Sequence, residues 1–262
     1  MAGGGGAAVS DAIRINDLTL GYEGHPAVHH LDGTFAQGSL TAIVGPNGSG
    51  KSTSLKGIMG TLTPLGGSIV RQGEIAYLPQ NAEIDKSFPA TVSELIGLGL
   101  WKRRGPFRAL TAADRGQISA ALKAVGLEGF AGRPIDTLSG GQMQRALFAR
   151  VLLQDAPVVL LDEPFTAIDE KTVHDLTGLV THWQAEGRTV IAVLHDFELV
   201  RRHFPRTLLL AREPIGWGPT AEVLTPDNLQ RARAMPEAWD ETAPWHDDGV
   251  TRHDHSHEGH VH

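Results

Sequence analysis

Nine residues constrain this chain more than any others: Gly45-Pro46-Asn47-Gly48-Ser49-Gly50-Lys51-Ser52-Thr53. They fit the spacing G-x-x-x-x-G-K-[ST] at every fixed position. The run before them, Leu40–Val44, is short, apolar and β-rich, as expected for a strand buried on both faces. After them Leu55, Ile58 and Met59 fall at helical spacing, and Gly60 fits a C-terminal stop. Glycines at such a turn let successive backbone N–H groups point at phosphate oxygens. The following helix sets its positive end beneath them. Lys51 is placed to reach β- and γ-phosphates, and the Ser52 hydroxyl suits Mg²⁺. Kinases, GTPases and motor ATPases share this loop, so the rest of the chain must choose between them.

Other strand signals lie at Ile13–Leu20, Glu74–Leu78, Val158–Leu161, Thr189–Leu194 and Thr207–Leu210. Between Asn81 and Pro134 they stop. Thr91–Leu100 and Ala112–Val125 read as helices there, joined by a basic, Pro/Gly-broken connection at Lys102–Pro106. Strands alternating with helices predict a mainly parallel sheet covered by helices. With 262 residues, 41% of them hydrophobic, the chain can build one sizeable domain with a subdomain inserted.

Val158-Val159-Leu160-Leu161 runs directly into Asp162 and Glu163. Ligands of such sheets sit at the carboxyl ends of strands, which puts both carboxylates beside the phosphate loop. Asp162 fits a Mg²⁺ position. Glu163 can face the water that attacks a γ-phosphate, as base or orienter. His195 ends Thr189–Leu194 in the same way; it either converges on that phosphate or is an ordinary exposed histidine. Leu138-Ser139-Gly140-Gly141-Gln142 leads into a helical stretch, Met143–Leu153, and offers a second set of backbone N–H groups for an anion. Taken alone it would be a capped helix, Ser139 being a good N-cap.

These residues, in this order, resemble the ATP-binding cassette (ABC) ATPases over about Ile13 to Ala234. Gln80 looks like the Q-loop glutamine, Leu138–Gln142 like the family signature, and Val158–Glu163 like the Walker B strand with its glutamate. Thr166-Ala167-Ile168-Asp169 looks like the D-loop, His195 like the switch histidine, and Tyr22 like the aromatic residue that stacks on adenine. Thr166, Ile168 and Leu194 depart from the usual Ser, Leu and small hydroxyl residue without removing a catalytic group.

The resemblance implies an α/β P-loop NTPase fold: a RecA-like parallel sheet core, an N-terminal antiparallel β subdomain and an inserted helical subdomain at about 81–150. The cassette would span 11–235, between a flexible tail at 1–10 and an acidic, histidine-rich one at 236–262. It implies ATP and Mg²⁺ as ligands, with Ser52, Gln80 and Asp162 at the metal. It also implies a head-to-tail dimer in which Ser139 and Gly141 of one copy contact the γ-phosphate held by Lys51 of the other. Membrane permease subunits would dock on the helical insertion, and an extracytoplasmic solute-binding protein would deliver cargo. The chain would sit on the cytoplasmic face of a bacterial inner membrane.

Bulk properties narrow the alternatives. A net charge of -7 argues against a dedicated nucleic-acid binder. There are no cysteines, so thiolate metal sites are excluded. Met1–Ala8 does not read as a secretory signal, and no run reaches the roughly 20 apolar residues of a membrane span. A DNA-end ABC ATPase would need a long coiled coil where Asn81–Pro134 stands, and a ribosome-acting one would need two cassettes. Ser87–Val92 and Glu163–Asp169 resemble the zinc/manganese importer branch. His253, His255, His257, His260 and His262 carry imidazoles suited to weak Zn²⁺ binding. The expected cargo is zinc first, then manganese or iron, then iron chelates.

Overall fold

The computed structural model describes residues 10–80, 88–105 and 109–234. Its centre is a six-stranded sheet whose central strands lie between two apolar cores, so their sequences are mostly apolar. In β6 (Val158–Asp162), Val158 and Leu160 face one core while Val159 and Leu161 face the other. The spatial order is β5 (Ile75–Leu78), β6, β7 (Thr189–Val193), β3 (Leu40–Val44), β8 (Arg206–Ala211), β9 (Glu213–Pro219). The first five are parallel and β9 closes the edge antiparallel.

A second sheet of three antiparallel strands, in the order β2-β1-β4, packs over one face: β1 (Asp11–Tyr22), β2 (His25–Ala36) and β4 (Gly66–Arg71). The β1–β2 hairpin turns through Glu23 and Gly24, both at positive φ, as a tight two-residue hairpin loop requires. Helix α1 (Lys51–Met59) lies between the sheets and buries Leu55 and Ile58 against Ile13, Leu20 and Leu160. Each such side chain contributes about 1.5–3 kcal/mol of burial free energy. Gly57 permits the close approach: a Cβ there would stand 2.5 Å from Leu20.

Between β5 and β6 the described elements are helices: α2 (Val92–Gly97), a 3₁₀ turn at Leu98–Leu100, α3 (Trp101–Arg104), α4 (Ala112–Ala124), a 3₁₀ turn at Ile135–Thr137 and α5 (Gly140–Gln154). Three of them start on reciprocal capping boxes, Thr91 with Glu94, Thr111 with Asp114 and Ser139 with Gln142. Each box satisfies two otherwise orphaned N–H groups. One expectation is corrected here. Lys102–Arg104 is not a connection but the body of α3, which ends at Gly105 with φ 78. Lys and Arg are good helix formers and favour the negative end of a helix. Pro106 lies outside the described residues.

Beyond β6 come α6 (Glu170–Ala185), α7 (Phe197–His203), α8 (Thr220–Val223) and α9 (Pro226–Arg233). Trp183 of α6 is buried and stacks on Phe148 of α5, ring centroids 5.7 Å apart.

Candidate active site: the ends of β3, β6 and β7

Strand register assembles the site. Asp162 is level with Val193, and Val193 is level with Ile43. The carboxyl ends of β6, β7 and β3 therefore lie side by side, and the residues that follow them, Glu163, His195 and the loop from Gly45, share one edge of the sheet.

The loop at the end of β3 requires its glycines. Gly45 has φ 155, and a Cβ there would stand 1.9 Å from the Leu210 carbonyl oxygen of β8. Gly50 has φ 91, and its Cβ would stand 2.2 Å from Val28. Lys51 is buried, and its Nζ donates to the carbonyls of Gly45 at 3.0 Å and Pro46 at 2.8 Å. Burial lowers the Lys51 pKa, and the carboxylates of Glu163 and Asp162 oppose that shift. An ammonium curled into the loop's mouth and facing two carboxylates is poised to exchange its carbonyl partners for a polyphosphate. Ser49 Oγ is buried and unpartnered among the described residues, so the cradle holds an unused polar group.

Ser52 Oγ donates to Asp162 Oδ1 at 3.1 Å. A hydroxyl beside a carboxylate is a donor set of hard oxygens, which fits Mg²⁺. Tyr77 approaches the other carboxylate oxygen, Oδ2, at 3.4 Å.

Glu163 is held on both oxygens. His195 Nε2 lies 2.7 Å from Oε1, and Gln80 Nε2 donates to Oε2 at 2.9 Å. Its backbone has φ 48, an uncommon conformation for a non-glycine residue that turns the side chain sharply away from the strand. The Glu163 N–H is tied to the Val193 carbonyl at 3.2 Å, which fixes that turn to β7. A cavity of about 180 Å³ adjoins the pair, lined by Phe165, Thr166, Val193 and Leu194. The arrangement offers a basic carboxylate, an imidazole and an amide beside a phosphate-binding loop. That is the equipment for moving a proton from water during phosphoryl transfer.

The family model of ABC transporters matches residues 28–166. The ATP-binding protein of a zinc transport system from Treponema pallidum is 36% identical over 235 residues, covering 86% of this chain and 88% of the relative. That of a manganese transport system from Bacillus subtilis is 34% identical over 227 residues, covering 84% and 91%. The bacterial ABC transporter cassette MJ0796, solved as a dimer, superposes with a TM-score of 0.70 at 28% identity, covering 79% of this chain and 98% of that one. The chain belongs to the ABC transporter family. It is an ABC ATPase with the P-loop NTPase fold, and it hydrolyses ATP in the service of transport.

Within the cassette, Lys51, Ser52, Asp162, Glu163, His195 and Gln80 lie together at this edge of the sheet. Ser139, Gly140, Gly141 and Gln142 stand apart from them at the start of α5. Among the described residues no hydrogen bond joins this turn to the phosphate loop. Gly140 instead approaches Ala167, and Gly141 approaches Asp169, the N-cap of α6. Tyr22 is half exposed at the end of β1, where a flat ring has room to stack. Sequence reasoning missed Tyr77, Gln144 and Arg145. Tyr77 lies within the strand signal Glu74–Leu78, and the pairing of that strand with β6 brings it to Asp162. The tail histidines His253–His262 lie outside the described residues, as does Ser87, and among the described residues no cluster of three metal-ligating side chains occurs.

Proposed function

We propose that this chain is the ATP-hydrolysing motor subunit of a bacterial importer for a divalent metal, zinc in the first place. Manganese, iron or an iron chelate is the alternative cargo. The observation that carries the motor reading is Glu163, gripped by His195 and Gln80, facing a loop whose Lys51 is already turned inward. The cargo reading is supported by relatives whose names specify zinc and manganese transport.

In the proposed cycle, ATP lies on the loop Gly45–Thr53 with its adenine on Tyr22. Lys51 leaves the Gly45 and Pro46 carbonyls for phosphate oxygens. Mg²⁺, held through Ser52, Asp162 and Gln80, would supply positive charge to the β- and γ-phosphate oxygens. Glu163 accepts the proton of the attacking water, and its release from Gln80 frees one oxygen for that role. His195 keeps the carboxylate oriented. The backbone N–H groups of Ser139–Gln142 and the carboxylate Asp169 complete the neighbouring copy's site in a head-to-tail dimer.

The same reading divides the chain into a cassette at 11–235, with helices at about 81–150 receiving the permease, between tails at 1–10 and 236–262. Among the described residues no helix is long and apolar enough to cross a membrane. On this reading the chain works as a peripheral subunit on the cytoplasmic face, and the permease receives cargo from a solute-binding protein on the other side. The tail histidines His253, His255, His257, His260 and His262 bind Zn²⁺ weakly. Calorimetric titration of the full chain against one ending at Ala234 tests this, and equal heats from both would remove the tail site.

Glu163→Gln tests the motor. ATP binding persists, turnover falls by roughly a hundredfold to ten-thousandfold, and an ATP-bound dimer accumulates on size exclusion. Undiminished turnover would take Glu163 out of its role.

A further inference from the structure

Two adjacent side chains of α5 are unused by the chemistry above. Gln144 is only 1% exposed. Its Nε2 donates to the Pro164 carbonyl at 2.7 Å, one residue beyond Glu163. Its Oε1 is buried and accepts no hydrogen bond among the described residues. The amide's donor serves the buried Pro164 carbonyl and its acceptor is unused, so its bonding is directed at the segment beside Glu163.

Arg145 uses its fork three ways. Nη1 donates to the Val125 carbonyl at 3.1 Å, and Nη2 donates to Thr172 Oγ1 at 3.3 Å and Asp175 Oδ2 at 2.9 Å. Thr172 in turn donates to both oxygens of Asp169, from its hydroxyl at 2.7 Å and its N–H at 2.9 Å. The two glycines of the signature turn rest on the same segment. A Cβ at Gly141 would stand 3.3 Å from Asp169 Oδ2, and one at Gly140 would stand 3.5 Å from the Ala167 carbonyl oxygen. The start of α5 is thus fastened to the stretch Pro164–Asp169 at both ends.

We infer that Gln144 and Arg145 are positioning residues that hold the signature turn in register with Glu163 of the same chain. Seating Ser139 and Gly141 on a partner's ATP then sets the carboxylate that hydrolyses the chain's own ATP. The lever is short. A shift of α5 moves the Pro164 carbonyl with it, and the Pro164 peptide follows directly on the strained turn at Glu163. Misplacement of a reacting group by about 1 Å is enough to cost rates up to a hundredfold. The inference rests on the head-to-tail dimer proposed above.

The test compares Gln144→Met and Arg145→Lys with the unchanged chain, each also in a Glu163→Gln background. Lysine keeps a cation beside Asp175 but cannot also serve Val125 and Thr172. Four readouts are taken: affinity for a fluorescent ATP analogue, melting temperature, ATP-driven dimer formation in the Glu163→Gln background, and steady-state kcat and KM. For Gln144→Met the expected result is nucleotide affinity and KM within about twofold, a modestly lower melting temperature as the buried Pro164 carbonyl loses its donor, a dimer that still forms, and kcat reduced about tenfold or more. Arg145→Lys should give the same pattern with a smaller loss. An unchanged kcat in both variants overturns the inference. So does a kcat loss matched by loss of nucleotide affinity or of the dimer, since that is a structural role. If Glu163→Gln alone forms no ATP-bound dimer, the dimer reading has failed, and this inference falls with it.

Discussion

At the scale of single residues, the phosphate loop separates glycines needed for conformation from glycines needed for space. Gly48 has φ 76 with nothing within 4 Å of a notional Cβ, whereas Gly50 has φ 91 and would drive a Cβ into Val28 and the Ala27 carbonyl. Gly48→Ala should therefore meet only the backbone cost of a left-handed alanine, about 1–2 kcal/mol. Gly50→Ala adds a collision with the sheet that carries Tyr22, so the loop must shift as a whole. Melting curves should show a clearly larger loss for Gly50→Ala, and nucleotide titration should show binding abolished there but only weakened in Gly48→Ala. Equal losses in the two variants would mean that the contact with Val28 is unimportant. The fixed letters of the loop were legible because each answers a local demand of the backbone or of a phosphate. Gln144 and Arg145 were not, because their partners, Pro164, Thr172 and Asp175, are 20 to 30 residues away in sequence. A buried glutamine on a helix looks the same in sequence as a solvated one.

At the scale of elements, what was legible depended on how many faces an element buries. Leu40–Val44 emerged with its observed limits because a strand covered on both sides is apolar at nearly every residue, Thr41 excepted. The same held for Val158–Leu161 and Thr207–Leu210, each one or two residues short at its ends. Strands β2, β4 and β9 left no such mark. In β2, Val28, Leu31 and Phe35 are buried, but the register shift between Leu31 (opposite Leu18) and Val28 (opposite Leu20) puts an extra residue in β2 and breaks the alternation on which the sequence signal depends. Strand β4 is an edge, with Val70 exposed, and its Gly66-Gly67 opening reads as a turn. Strand β9 owes its place to Trp217, which packs on Phe35 at 4.7 Å between ring centroids and over Gly33. That contact joins the two sheets across nearly 200 residues of chain, out of reach of any local pattern. Helix α3 escaped for the opposite reason, since three cations in a row look like a solvated loop although they also form a good last turn.

At the scale of the whole molecule, the chain holds the two proposed halves of an ATP site in separate places. The loop, Asp162 and Glu163 gather at the sheet edge. The signature turn caps α5 against Ala167 and Asp169. In the proposed head-to-tail pairing, a second copy brings its signature turn to a loop-bound phosphate. Mass action then separates binding from turnover. ATP affinity belongs to one chain and should not change on dilution. Hydrolysis belongs to the pair, and far below the dimer dissociation constant the paired fraction per chain is proportional to total concentration. In that range a tenfold dilution of the isolated subunit should lower ATPase activity per chain by roughly tenfold. Activity should become independent of concentration once dimers predominate, or when permease subunits hold two copies together. The measurement is a dilution series at saturating ATP, with binding of a fluorescent analogue followed in parallel. If activity per chain stays constant over a hundredfold dilution while light scattering reports monomers throughout, one chain carries a complete hydrolytic site and the signature turn has some other use.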